Sequence, residues 1–228
     1  MCHDAGRTRW TRSRYRHRFT DLTDALIPVY DWGFRVLGGR KHEAFRRHIV
    51  ELAALRGNER LLDAGCGTGL MVRHIALQHP ACRLHGIDLS PNVIAVAHKS
   101  TAQRGLEPDL RVGSITDLPY PDGAFDVVIT NIMYHHLDMV EKRQAVAEIA
   151  RVLRPGGRYV SAEFGPRASN PVERHLAKGE YTLYPSHLAE AGLILRHEEL
   201  SSIFWGLQVY YRVAFKSGEA ARESYEEE

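Results

Sequence analysis

The stretch Leu61-Leu62-Asp63-Ala64-Gly65-Cys66-Gly67-Thr68-Gly69-Leu70 sets an acid and three alternate glycines between two apolar residues and a helical pattern. Glycine lets a backbone turn sharply and come close to a ligand. A Gly-rich turn from strand to helix is therefore a small-molecule cradle at the carboxyl end of a sheet strand. The spacing Gly65-x-Gly67-x-Gly69 departs from the Gly-x-Gly-x-x-Gly of a dinucleotide site. Asp63, just ahead of the turn, would also repel a pyrophosphate. It suits a cationic amino group instead, while the turn's N–H groups can hold a carboxylate. A ligand bearing both groups is an amino acid.

Asp88 closes the run Gly86-Ile87-Asp88. Its two carboxylate oxygens match the two hydroxyls of a ribose diol. Amino acid plus ribose points to S-adenosylmethionine as cofactor. Met133-Tyr134-His135-His136 follows an apolar strand at the same sheet end. An imidazole with a pKa near neutrality suits proton transfer, so His135 and His136 are candidate general bases or acceptor-orienting groups. The competing reading is that both are packing or cap residues. Tyr15, Tyr30, Trp32, Tyr181, Tyr184, Trp205 and Tyr210 supply aromatics for an apolar acceptor pocket, although most aromatics are core. Cys66 inside the glycine turn reads as structural. The thirteen histidines form no metal-ligand spacing, so no metal is expected.

The elements that position these residues alternate. An amphipathic helix over residues 40–55 precedes a strand at 60–64, and a helix over 70–79 leads to a strand at 83–88. Ser90-Pro91 opens the next helix as N-cap and first helical residue. Strands follow at 109–113 and 125–131. Asp138 with Glu141 marks a helix start that runs to about Leu153 and stops at Pro155-Gly156-Gly157. A strand from Arg158 to Glu163, a polar loop over 164–180, a short helix from Tyr184 and two strands near 193–201 and 207–216 complete the pattern. This is an α/β chain: a Rossmann-like, doubly wound, seven-stranded sheet, mostly parallel with an antiparallel C-terminal hairpin.

Net charge is +2, which gives no global case for nucleic acid. The charge is uneven, with six arginines among residues 1–18 (Arg7, Arg9, Arg12, Arg14, Arg16 and Arg18) and Glu226-Glu227-Glu228 at the other end. Residues 1–39 read as a basic tail and helical lid, 40–216 as one catalytic domain and 217–228 as an acidic tail. No apolar run is long enough to span a membrane, and no secretory signal core is seen, so the expected compartment is the cytoplasm.

LLDAGCGTGL, GIDLS, the DLPYPDGAFDVVI run and RVLRPGGR, in this order and spacing, give the chain a resemblance to a known family. Over roughly residues 45–163 it resembles a class I S-adenosylmethionine-dependent methyltransferase, of the small-molecule branch that includes the ubiquinone and menaquinone methyltransferases. The resemblance implies that Asp63, Ala64, Gly65 and Gly67 hold the methionine part of the donor. It puts Asp88 on the ribose hydroxyls and Leu89 against the adenine. Family members often carry an Asp directly after the third strand's Gly; that place is Ser114, followed by Ile115, so adenine recognition falls to backbone groups there or to Thr116. Asn131 would lie near the transferring methyl. Tyr30-Asp31 matches a Tyr-Asp pair whose Tyr covers the cofactor.

The expectation is an enzyme acting by direct displacement on a small molecule, at oxygen first, with carbon and nitrogen as options, as a monomer or homodimer. Two rivals stand beside it. One is a methyltransferase for a lipid headgroup or macromolecule, with the arginine tail attracting phosphate. The other is a cofactor-binding scaffold that transfers nothing.

Overall fold

Helix α1 (41–53) turns Phe45, Ile49, Val50 and Ala53 inward at helical spacing. In this computed structural model, which describes residues 39, 41–165, 185–203 and 208–218, it leads into an alternating chain. The elements are β1 (Arg60–Ala64), α2 (Leu70–Gln78), β2 (Arg83–Asp88), α3 (Pro91–Ala102), β3 (Asp109–Val112), β4 (Phe125–Asn131), a 3₁₀ turn (Tyr134–His136), α4 (Met139–Val152), β5 (Leu153–Phe164), α5 (Pro185–Glu190), β6 (Leu193–Ser202) and β7 (Gln208–Lys216). The sheet order is β3-β2-β1-β4-β5-β7-β6. Strands β1 to β5 pair in parallel. β7 runs antiparallel to both β5 and β6. The seven-stranded mixed sheet is the expected one.

The helix starts follow their capping chemistry. The Ser90 hydroxyl accepts the Val93 N–H at 3.3 Å, with Pro91 next in the chain. Asp138 accepts the N–H groups of Val140 and Glu141, each at 2.9 Å, while the Glu141 carboxylate accepts the Asp138 N–H at 3.0 Å. That reciprocal pair satisfies donors that a helix end otherwise leaves open.

β4 is buried on both faces. Val128 joins Leu62, Val146 and Ile149 under α4, while Val127 and Ile129 join Ile49, Leu61 and Val72 on the opposite face. A central parallel strand needs apolar residues on both sides for this reason.

One boundary differs from expectation. The strand placed at Arg158 begins at Leu153, because Phe125 pairs with Leu153 and Val127 with Arg158, so residues 154–157 detour within the pairing. Gly157 permits the detour: a Cβ there would stand 2.8 Å from the Arg154 carbonyl oxygen and 3.1 Å from that of Asp126. The Pro-Gly-Gly turn chemistry is real, but it interrupts a strand instead of preceding one. The lid expected within 1–39 and the tail within 217–228 lie, apart from Gly39, Ser217 and Gly218, outside the described residues. Among the described residues no helix is long and apolar enough to cross a membrane.

Candidate functional site

The strand order reverses at β1, which has β2 on one side and β4 on the other. Open α/β sheets form a ligand crevice at the carboxyl ends on either side of such a reversal. The loops after β1, β2 and β4 carry most of the candidate residues.

The turn after β1 is tied to β2. Gly65 and Cys66 donate their N–H groups to the Ile87 carbonyl oxygen at 2.8 and 3.0 Å. Gly67 donates its N–H to Asp88 Oδ2 at 3.0 Å, and Ser90 donates its own to Oδ1 at 3.0 Å. Asp88 therefore shapes the cradle and the start of α3. Gly65 adopts φ 83°, and a Cβ on it would stand 3.0 Å from Cβ and Cγ of Met133. The cradle thus rests directly against the segment that follows β4. Cys66 is buried and its thiol is pushed up, by burial first and then by the charges of Asp63 and Asp88, so it stays an un-ionised structural residue.

Asp63 is 1% exposed, and neither carboxylate oxygen has a hydrogen-bond partner among the described residues. Burial, then the nearby charge of Asp88, raises its pKa to about 7. An unpartnered buried carboxylate is costly. A cationic ligand group beside it would remove the cost, so the residues present fit an amino-acid-bearing, positively charged donor.

The remaining candidates divide. Ala64 is fully buried behind the cradle, and Leu89 is 54% exposed at the end of β2. The Ser114 hydroxyl lies 2.8 Å from that of Thr116 and accepts the Thr116 N–H at 3.2 Å. Ile115 sends its side chain into the core with Leu62 and Ile87, which leaves only its backbone for a ligand. Tyr30 lies outside the described residues.

At the end of β4, Asn131 holds a buried side-chain oxygen with no partner among the described residues. Ile132 then takes φ 49°, donating its N–H to the Ala162 carbonyl oxygen at 2.7 Å. Tyr134 is fully buried, and the Tyr159 hydroxyl donates to its hydroxyl at 3.2 Å while lying 2.7 Å from that of Thr130. His135 is half-buried, and its Nδ1 is enclosed without a hydrogen-bond partner among the described residues. Burial, with the charges of His136 and Lys142 adding to it, lowers its pKa to about 3. His135 is therefore a neutral imidazole and a weaker base than the near-neutral one anticipated. His136 is exposed, its ring centroid 3.7 Å from that of His135.

Glu163, which the sequence reading passed over, is fully buried at the end of β5. It accepts the N–H groups of Met133 at 3.4 Å and Tyr134 at 3.2 Å. The available signal was an acid close behind the apolar Tyr159-Val160 pair of that strand.

A doubly wound sheet with a glycine cradle, a buried acid before it and a second acid one strand along is an arrangement that fits a nucleotide-type donor on a Rossmann-like fold. Residues 62–161 match the family profile described as a methyltransferase domain. The chain is 35% identical over 141 residues to a demethylmenaquinone methyltransferase of Thermus thermophilus, covering 62% of this chain and 63% of that protein. It is 30% identical over 186 residues to a ubiquinone/menaquinone biosynthesis C-methyltransferase of Geobacter sulfurreducens, covering 80% of this chain and 70% of that one. The chain thus spans under two thirds of the length of the first of these relatives. A solved SAM-dependent methyltransferase of Methanosarcina mazei shares the fold, with a TM-score of 0.62 at 20% identity over 72% of this chain and 95% of that one. The chain belongs to the S-adenosylmethionine-dependent methyltransferase family that includes the ubiquinone/menaquinone C-methyltransferases.

Proposed function

We propose that this protein transfers a methyl group from S-adenosylmethionine to a small-molecule acceptor by direct displacement. The buried, unpartnered Asp63 carboxylate beside the glycine turn carries the reading. In it, Asp63 and the turn from Ala64 to Gly67 hold the amino-acid end of the donor. Asp88 takes the ribose hydroxyls, Leu89 lies on the adenine, and the backbone at Ser114 and Ile115 serves the adenine edge. S-adenosylmethionine supplies a methyl group already activated by its cationic sulfur. What is left to the chain is orientation, which can account for many orders of magnitude in rate. Asn131 offers its enclosed side-chain oxygen beside the reaction, and neutral His135 orients an acceptor hydroxyl by a hydrogen bond.

The relatives' names, one of them a C-methyltransferase of ubiquinone/menaquinone biosynthesis, favour carbon as the acceptor atom over the oxygen put first from sequence. Calorimetry with S-adenosylmethionine tests the donor: micromolar binding is expected for the wild type, with a large loss in Asp63→Asn and Asp88→Asn. A flat wild-type titration would sink the reading. Turnover of a short-chain demethylmenaquinol, beside a panel of phenols and amines, tests the acceptor, and mass spectrometry of the product locates the new methyl. Tight donor binding with no product across the panel would favour the non-catalytic scaffold.

A further inference from the structure

We infer that Glu163 is a positioning residue: its carboxyl group holds the strained turn at Ile132 in the shape that presents Asn131 and His135 to the reacting centre. This rests on the reading of that turn as the wall beside the transferring methyl.

Ile132 carries the argument's first half. A β-branched residue at φ 49° is in the left-handed region, where its Cβ is crowded, so the conformation persists only if its surroundings enforce it. Two sets of bonds do so. The Ile132 N–H goes to the Ala162 carbonyl oxygen, and the next two N–H groups, of Met133 and Tyr134, go to the two oxygens of Glu163. Ala162 and Glu163 are consecutive on β5, so one end of one strand grips three consecutive residues of the turn.

The second half is what Glu163 touches. It is wholly enclosed, with the Thr130 hydroxyl on β4 and the positive charge of Arg212 on β7 nearby. Thr130 also meets the Tyr159 hydroxyl, which in turn reaches the hydroxyl of Tyr134. The ring of contacts therefore returns to the turn that Glu163 holds by its backbone. From that turn Met133 abuts Gly65 of the donor cradle, and His135 follows two residues later. A buried carboxylate at this point is expensive as packing. Its geometry explains its presence: it supplies acceptors for two N–H groups that a kinked backbone cannot pair within a sheet.

The test compares Glu163→Gln, Glu163→Asp and Glu163→Ala in the full chain. The Gln amide oxygen keeps one of the two bonds but sets an NH₂ donor against the other N–H, the Asp side chain is too short by one methylene, and Ala offers nothing. The first readout uses neither donor nor acceptor: the pH titration of ¹³C-labelled His135 by NMR, with His136 and Lys142 as the charged neighbours. Wild type keeps His135 neutral at pH 5, and Glu163→Gln, with one of the two bonds lost, shifts its titration upward in part. Glu163→Asp and Glu163→Ala release the turn, and His135 titrates at least one pH unit higher. The second readout is S-adenosylhomocysteine binding, expected within about threefold of wild type in all three. Turnover of the demethylmenaquinol falls by about 30-fold or more in the Asp and Ala variants, the scale of a lost orientation, and by less in Glu163→Gln. Adding Ile132→Gly to Glu163→Asp removes the crowding and recovers part of the loss. If Glu163→Ala fails to fold, the Asp variant and its Gly rescue carry the comparison. The inference is overturned if folded Glu163→Asp leaves His135 titrating as in wild type, or if Glu163→Gln does so with full turnover. A wild type that binds no donor, yet shows the expected His135 shifts, would sink the methyltransferase reading and leave this one standing.

Discussion

Asp63 is held in a state that costs the protein stability and that a cationic ligand reverses. With its folded pKa raised from an ordinary carboxylate value to about 7, the folded protein is favoured while the group is protonated. That advantage disappears as pH rises from about 4 to 7. Asp63→Asn therefore raises the ligand-free melting temperature at pH 8, by the equivalent of about 1–3 kcal/mol, since the amide is also left unpaired. The same change weakens donor binding by about 10–100-fold, the value of a charge-assisted hydrogen bond. Scanning calorimetry and titration calorimetry on one preparation check both arms. Wild-type donor affinity should itself fall about tenfold per pH unit below 7, because binding requires the ionised carboxylate, and this slope should vanish in Asp63→Asn. Residues of this kind were legible in the sequence: an acid before a glycine turn declares its chemistry by type and spacing. The neutral state of His135 was not, because burial comes from chain segments far away in sequence.

At the scale of elements, the cradle and the β4 turn act as one piece because Gly65 touches Met133. Gly65→Ala adds a Cβ to a residue at φ 83° and presses on Met133, so a loss of about 1–3 kcal/mol is expected with weakened donor binding. Adding Met133→Ala relieves the contact but not the backbone strain, and restores part of the melting temperature. Asp138→Ala removes the α4 cap, costs about 1 kcal/mol and leaves donor affinity unchanged. Melting curves with and without S-adenosylhomocysteine separate the two cases. Capping boxes, proline at a helix start and the run of β4 are local signals, and they were read where they occur. The detour inside β5 and the kink at Ile132 were not, because each depends on what the neighbouring strand presents. Pro155-Gly156-Gly157 announces a turn but cannot say that pairing resumes on both sides of it.

Across the whole molecule, carboxylates pull the pH dependence in opposite directions. Burial raises Glu163 to about 8 as it raises Asp63. Glu59 goes the other way. Burial would raise it, but the N–H groups of Arg56 and Gly57 and the guanidinium of Arg158 outweigh that and hold it at about 2. Arg158 on β5 reaches Glu59 at 3.1 Å and also the Ala54 carbonyl oxygen at the end of α1, so this cluster joins the first helix to the middle of the sheet. Its contribution is complete above the ordinary glutamate pKa and is lost as pH falls from about 4.5 towards 2. The ligand-free protein should thus be most stable in mildly acidic solution, near pH 5, and saturating S-adenosylhomocysteine should move that maximum upward. In Glu59→Gln the acid limb should flatten while the alkaline limb persists. Melting temperature against pH, measured in both forms, checks it.

The place of β7 between β5 and β6 has a consequence for how the chain is made. During synthesis the sheet cannot close when β6 emerges, since the strand that joins β6 to the rest has not yet left the ribosome. Until residues 208–216 arrive, β5 presents an unpaired rim and β6 has nowhere to dock. A nascent chain halted just short of that segment should recruit chaperones or self-associate, whereas one extended a few dozen residues past it should release as a folded monomer or dimer.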